Sequence, residues 1–179
     1  MQAILRRVPV TAAVALLLFS NCSAFAAKNV RKLTLRDLNG NKVRMAEYQG
    51  RILVLNFWAT WCGPCKEELP RLGQMAERYA GQNVAFVLAS IDEQKKLDAV
   101  RDYVLRQKVA LPVLVGANVD LLEQLSGTNV VPGTLVIDDK GEVIRAINGE
   151  AREEDVAEAV EWLLSGKKGE APVERVKRY

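Results

Sequence analysis

Ile52-Leu53-Val54-Leu55-Asn56-Phe57-Trp58-Ala59-Thr60-Trp61-Cys62-Gly63-Pro64-Cys65 is the stretch that decides the fold. Ile52 to Trp58 is a continuous apolar run broken only by Asn56, the pattern of a strand buried on both faces. From Cys62 to Tyr79 the spacing becomes helical, with Leu69, Leu72, Ala76 and Tyr79 on one face. Pro70 falls inside that helix and predicts a kink. A buried strand running straight into a helix is the opening of an α/β unit.

The same alternation continues on both sides. Upstream, Leu33, Leu35, Val43 and Met45 flank Asn39-Gly40, a strong hairpin signal. Downstream, Gly81 ends the helix and Val84 to Ile91 is a second core strand. Leu97, Val100, Val104 and Leu105 have helical spacing. Leu111 to Val115 predicts a short strand and Leu121 to Leu125 a brief helix. Leu135 to Ile137 and Val143 to Ile147 predict strands joined by an Asp138-Asp139-Lys140-Gly141 turn. Val156, Val160, Leu163 and Leu164 share one face of a last helix. Residues 166–179 mix charge with Gly and Pro and predict a loose tail. The expectation is one α/β domain over 27–165, with a mixed sheet covered by helices on both faces.

Residues 1–26 have the form of a secretory signal peptide. Arg6 and Arg7 precede an apolar stretch from Val8 to Phe19, and Ala24-Phe25-Ala26 has the small-x-small form of a cleavage site. Phe19-Ser20-Asn21-Cys22 is a weak version of a lipoprotein box. Cleavage after Ala26, lipidation at Cys22 and retention as an anchor all stay open. Each implies a periplasmic or otherwise exported protein, and two of them attach it to the membrane.

Composition narrows the chemistry. The 179 residues are 49% hydrophobic and 26% charged, which suits a packed core. Net charge is +3, and without Arg6 and Arg7 it is +1, which gives no electrostatic case for nucleic acid. There is no histidine, so no Ser-His or Cys-His pair and no His-ligated metal can form.

Cys62-Gly63-Pro64-Cys65 carries the chemistry that remains. Two cysteines three apart in a first helical turn lie close enough to bridge. The first stands at the helix N-terminus, where free N–H groups and the dipole favour a thiolate. The second is one turn deeper and better shielded, so Cys62 is the attacking and Cys65 the resolving thiol. Pro64 suits a first turn that needs no N–H. A structural disulfide over so short a loop would constrain little chain entropy. A zinc site lacks further ligands in the chain after residue 26, and haem attachment lacks a histidine, since Lys66 follows Cys65. Redox exchange needs no metal and no cofactor beyond the cysteine pair.

Asn56 to Cys65, continued by Lys66-Glu67-Glu68-Leu69-Pro70, resembles the active-site segment of the thioredoxin superfamily, and more narrowly of its exported TlpA/ResA-type thiol–disulfide oxidoreductases. The resemblance runs from about Leu33 to about Leu164. It includes the hairpin, the Ser90-Ile91-Asp92 strand end, a helical insertion near 95–107, and Val131-Pro132 before a Leu-Val-Ile-Asp strand. It implies a thioredoxin-like fold with an N-terminal hairpin and a central helical insertion. It also implies that Pro132 is a cis-proline opposite the cysteines, leaving Val131 backbone groups free for an extended substrate. Trp61, Gly63 and Pro64 would complete the substrate-contacting rim.

Two positions depart from the wider pattern. Asn56 stands where cytoplasmic-type thioredoxins carry a buried Asp and cannot take a proton. Glu68, three residues after Cys65, matches the subfamily's acid and lies on the cysteine side of the helix; a solvated first-turn acid is the competing reading. Gly133 replaces the more usual Thr or Ser after the cis-proline. The resemblance further implies protein disulfides as substrates, apocytochrome c among them, and a membrane electron donor of DsbD or CcdA type. An exported disulfide oxidase and a non-catalytic binding or chaperone module on the same fold are the alternatives. A peroxidase is disfavoured, because Ala59 and Leu55 stand where peroxiredoxins carry Thr and Pro.

Overall fold

The computed structural model describes residues 28–179. Arg6, Arg7, the apolar run, Cys22 and Ala24-Phe25-Ala26 lie outside the described residues. The described chain runs β1 (Thr34–Asp37), β2 (Lys42–Arg44), β3 (Ile52–Trp58), α1 (Gly63–Arg78), β4 (Val84–Ser90), α2 (Leu97–Arg106), β5 (Val113–Val115), α3 (Val119–Ser126), β6 (Gly133–Ile137), β7 (Val143–Gly149), α4 (Glu153–Leu164) and β8 (Arg175–Arg178). Its strands form one mixed sheet in the order β2-β1-β5-β4-β3-β6-β7-β8.

β3 sits near the centre of that order, parallel to β4 and antiparallel to β6. All its residues are buried, as are all those of β4 and β6. Side chains alternate between the faces of a strand, so both faces of the sheet are covered here. α1 contributes Leu69, Leu72 and Met75 to the core, and α4 contributes Val156, Ala159 and Val160. The hairpin turn is closed by Asp37, whose carboxylate accepts the backbone N–H groups of Asn39 and Asn41, with Gly40 at φ +88°. β5 begins at Val113 rather than Leu111: Pro112 has no N–H to donate, although its carbonyl accepts Leu88 N–H.

The C-terminal segment departs from expectation. Residues 166–179 are not loose throughout: Arg175 to Arg178 add β8 to the sheet, parallel to β7, with Ala146 opposite Arg175 and Gly149 opposite Arg178. A strand of three cations and one valine carries no hydrophobic alternation, so its placement comes from distant partners. Arg145, buried on β7, donates through Nε to Val173 O at 2.8 Å and through Nη1 to Asp155 O at 2.8 Å. Nearer α4, Lys167 Nζ donates to the buried carboxylate of Asp138 at 2.9 Å.

Asp138 is thus the anchor of the first part of this segment. Burial raises the cost of its charge, but Lys167 and the N–H groups of Glu142 and Lys140 outweigh that and lower its pKa. A lowered pKa adds stability that is present above the unfolded value and lost as pH falls through the folded one. We expect Asp138→Ala to cost about 1–3 kcal/mol in urea unfolding at pH 7, because it strands three donors. The deficit should shrink as pH falls below about 4.

Candidate active site

α1 starts where β3 has just ended, so the cysteines stand at the carboxyl end of the central strand. Cys62 is the N-cap residue, in extended conformation, and its Sγ accepts the backbone N–H of Cys65 at 3.2 Å. Gly63 and Pro64 form the start of the first turn. The two cysteines are joined in a disulfide with Cα atoms 5.3 Å apart. Both are buried, Cys65 completely, while Trp61 beside them is 66% exposed. The Lys66 ammonium lies 5.4 Å from the centroid of the Tyr103 ring, which itself packs on Trp58.

One turn below Cys65, Glu68 is 1% exposed, so it is no surface acid. Three groups converge on its Oε1. Thr134 Oγ1 donates at 3.2 Å, Ala151 N–H at 3.3 Å and Asn56 Nδ2 at 3.4 Å. Asn56 also donates to Thr134 Oγ1 at 2.9 Å, its cross-strand neighbour in the β3–β6 ladder. The position that cannot take a proton therefore serves the one that can. Burial pushes the Glu68 carboxyl up to about 7, and the bonds from Ala151 and Thr134 and the Arg71 charge temper that rise. A carboxyl poised there exchanges a proton at neutral pH.

Val131 and Pro132 precede β6. The Val131-Pro132 bond is cis, and Pro132 O accepts Gly149 N–H at 2.9 Å. Gly133 lies opposite Phe57 in the ladder, so Pro132 sits at the end of β3 from which the cysteine loop leaves. Glycine at 133 has a local cause. A Cβ there would lie 2.9 Å from Leu122 Cδ1 of α3, so any side chain would push that leucine aside.

Sequence reading assigned no role to Asp92 or Thr60. Asp92 accepts Thr60 N–H at 2.9 Å, Thr60 Oγ1 at 2.6 Å and Ser90 Oγ at 2.8 Å. These bonds fix the loop immediately before Trp61 and Cys62 to the end of β4. An acid at the carboxyl end of a core strand beside the cysteine loop was the available signal. The Ala151 N–H left no signal, because it is a backbone group. Among the described residues no cluster of acids and cysteines suits a metal ion.

The raised Glu68 value has a stability consequence. A carboxyl that ordinarily titrates near 4.5 and here near 7 keeps its proton better in the folded state. Stability is then lost as pH rises from about 4.5 to 7, by up to about 3 kcal/mol. Glu68→Gln removes that loss. We expect the variant to gain stability relative to the parent at pH 8 and to differ little near pH 4.5, measured by urea unfolding at both.

Sequence and fold are similar to those of proteins of known class. Residues 26–146 match the AhpC/TSA family. The thiol–disulfide oxidoreductase ResA of Geobacillus kaustophilus is 31% identical over 129 residues, 72% of each chain. ResA of Bacillus thuringiensis is 29% identical over 131 residues, 73% of this chain and 74% of that one. A crystal structure of a thiol:disulfide interchange protein of the thioredoxin family from Chlorobium tepidum superposes with a TM-score of 0.64 at 27% identity, covering 77% of this chain and 97% of that one. With a Cys-x-x-Cys pair at a helix N-terminus on this mixed sheet, the chain belongs to the AhpC/TSA family and is a thioredoxin-like thiol–disulfide oxidoreductase of ResA type.

Proposed function

We propose that this oxidoreductase is exported and works as a reductant of protein disulfides, with Cys62 attacking, Cys65 resolving and Glu68 handling the proton of Cys65. The observation that supports it best is the asymmetry of the pair. Cys62 caps the helix, where N–H groups favour its thiolate, whereas Cys65 is fully buried one turn above a buried carboxyl of raised pKa.

The steps balance without a cofactor. Cys62 thiolate attacks one sulfur of a substrate disulfide, forming a mixed disulfide and releasing the other sulfur as a thiolate, which takes a proton. Cys65 gives its proton to ionised Glu68 and attacks Cys62 Sγ. The Cys62–Cys65 disulfide forms, and the second substrate sulfur leaves as a thiolate that is protonated in turn. The substrate has gained two electrons and two protons. A membrane dithiol donor of DsbD or CcdA type then returns the pair to the reduced form. The exposed Trp61 and the Val131-Pro132 segment flank the cysteines as the surface for an extended substrate. The substrate class is an unfolded or extended protein with a Cys-x-x-Cys disulfide, and apocytochrome c is the member that the ResA likeness favours.

Two measurements test this. A Cys65→Ser variant, exported from its own leader, should accumulate mixed disulfides through Cys62. Extended Cys-x-x-Cys proteins should appear among the trapped partners, and a Cys62→Ser variant should trap nothing. Equal trapping through either cysteine would overturn the assignment. Glu68→Gln should slow resolution by about 10²-fold at pH 7.5 and flatten its pH dependence near 7. An unchanged profile would remove Glu68 from the proton path.

A further inference from the structure

β8 lies beyond the family match, which ends at residue 146, and the redox site has no side chain on it. It nevertheless reaches the site through two consecutive contacts. Arg178 pairs with Gly149 in the β7–β8 ladder, and a Cβ on Gly149 would lie 2.7 Å from Arg178 O, so the two backbones are in close contact. The Arg178 guanidinium also grips Asp155 with two bonds, Nε to Oδ2 at 2.8 Å and Nη2 to Oδ1 at 2.5 Å. Asp155 is 5% exposed and its Oδ2 accepts Arg152 N–H at 3.3 Å, closing the start of α4.

One arginine thus restrains both ends of the turn from Gly149 to Arg152. Inside that turn, Gly149 N–H holds Pro132 O and Ala151 N–H holds Glu68 Oε1. We propose that β8, through Arg178 and Asp155, is a positioning element of the redox site that keeps the Ala151 N–H on the Glu68 carboxyl. Arg178 and Asp155 touch neither substrate nor cysteines; they act through the turn. The proposal rests on the reading of Glu68 as the proton-handling group, but its contact chain stands independently.

The groups around Glu68 make a clean test available. On its own helix it faces the charge of Arg71 and the cysteine pair, and from the turn the charge of Glu150, which is itself paired with Arg71. β3 and β6 contribute only the uncharged Asn56 and Thr134. The Ala151 bond favours the ionised carboxylate, so losing it moves Glu68 upward. Arg178→Ala loosens the turn and also removes a positive charge, and both effects act upward. Asp155→Ala loosens the same turn but removes a negative charge, which by Coulomb interaction alone acts downward. The sign in Asp155→Ala therefore separates positioning from simple electrostatics.

The experiment is the titration of Glu68 by carbon NMR in the oxidised, glutamate-labelled protein, with Glu68→Gln identifying the resonance. We expect both variants to raise the Glu68 midpoint by about half a unit or more, and Ala151 N–H exchange to accelerate by the same factor in both. Arg178→Lys, which keeps the charge but not the two-bond grip, should fall between parent and Arg178→Ala. Lys177→Ala on the exposed side of β8 should change neither readout. A downward shift in Asp155→Ala, or an unmoved Glu68 in either variant with only global stability lowered, would overturn the proposal and leave β8 a structural strand. Because none of these readouts uses substrate, failure of the proposed reductase activity would show separately, as absent turnover in the parent protein.

Discussion

A strand covered on both faces has no solvent-facing position, so any polar side chain it carries must find its partner inside. β3 meets that constraint only in part: the Asn56 amide nitrogen finds partners, while Asn56 Oδ1 and Trp58 Nε1 have none among the described residues. Asn56 turns to Thr134 on the neighbouring strand and to Glu68 on the helix that follows. The burial of β3 places α1 against the sheet, and α1 in turn places Cys65 and Glu68 in the interior and Cys62 at its rim. An ionised carboxylate in that interior is costly: three donors from β3, β6 and the turn after β7 meet Oε1, but Oε2 has no partner among the described residues and burial still raises the pKa. The site is the junction of those elements, and its proton chemistry follows from how dry that junction is.

The rim is built by a separate set of bonds. Asp92 at the end of β4 ties down Thr60, and Pro132 before β6 is tied to Gly149 at the end of β7. Thr60, next to the exposed Trp61, and Pro132 are therefore held by bonds to the ends of neighbouring strands rather than to the cysteine helix.

Much of this was legible in the chain itself. The apolar run of β3, broken only by Asn56, and the helical spacing after Cys62 give the central unit, and the i+3 step from Cys65 puts Glu68 on the cysteine side of α1. What the residue pattern could not carry is non-local. β8 has one apolar residue among three cations and becomes a strand only because β7 pairs with it and Asp155 receives Arg178. The Ala151 donor is a backbone group whose importance depends on where a turn 83 residues after Glu68 comes to rest. Asp92 is an ordinary acid until the fold brings Thr60 beside it. The reason for a glycine at 133 is likewise non-local, since Leu122 of α3 occupies the space a side chain would need.

Direction of electron flow is the claim on which the functional account turns. Gly63 brings no charge or side-chain donor, Pro64 brings no N–H, and the Lys66 ammonium is engaged over Tyr103. Stabilisation of the Cys62 thiolate then falls mainly to the helix terminus and the Cys65 N–H. A modestly stabilised thiolate makes a reducing pair. The most direct measurement is the midpoint potential of the Cys62–Cys65 couple at pH 7, by equilibration against glutathione and dithiothreitol buffers. The account predicts a value near that of thioredoxin, about −270 mV. A value above about −170 mV, towards that of strong oxidants at about −120 mV, would contradict it and make the protein an oxidase.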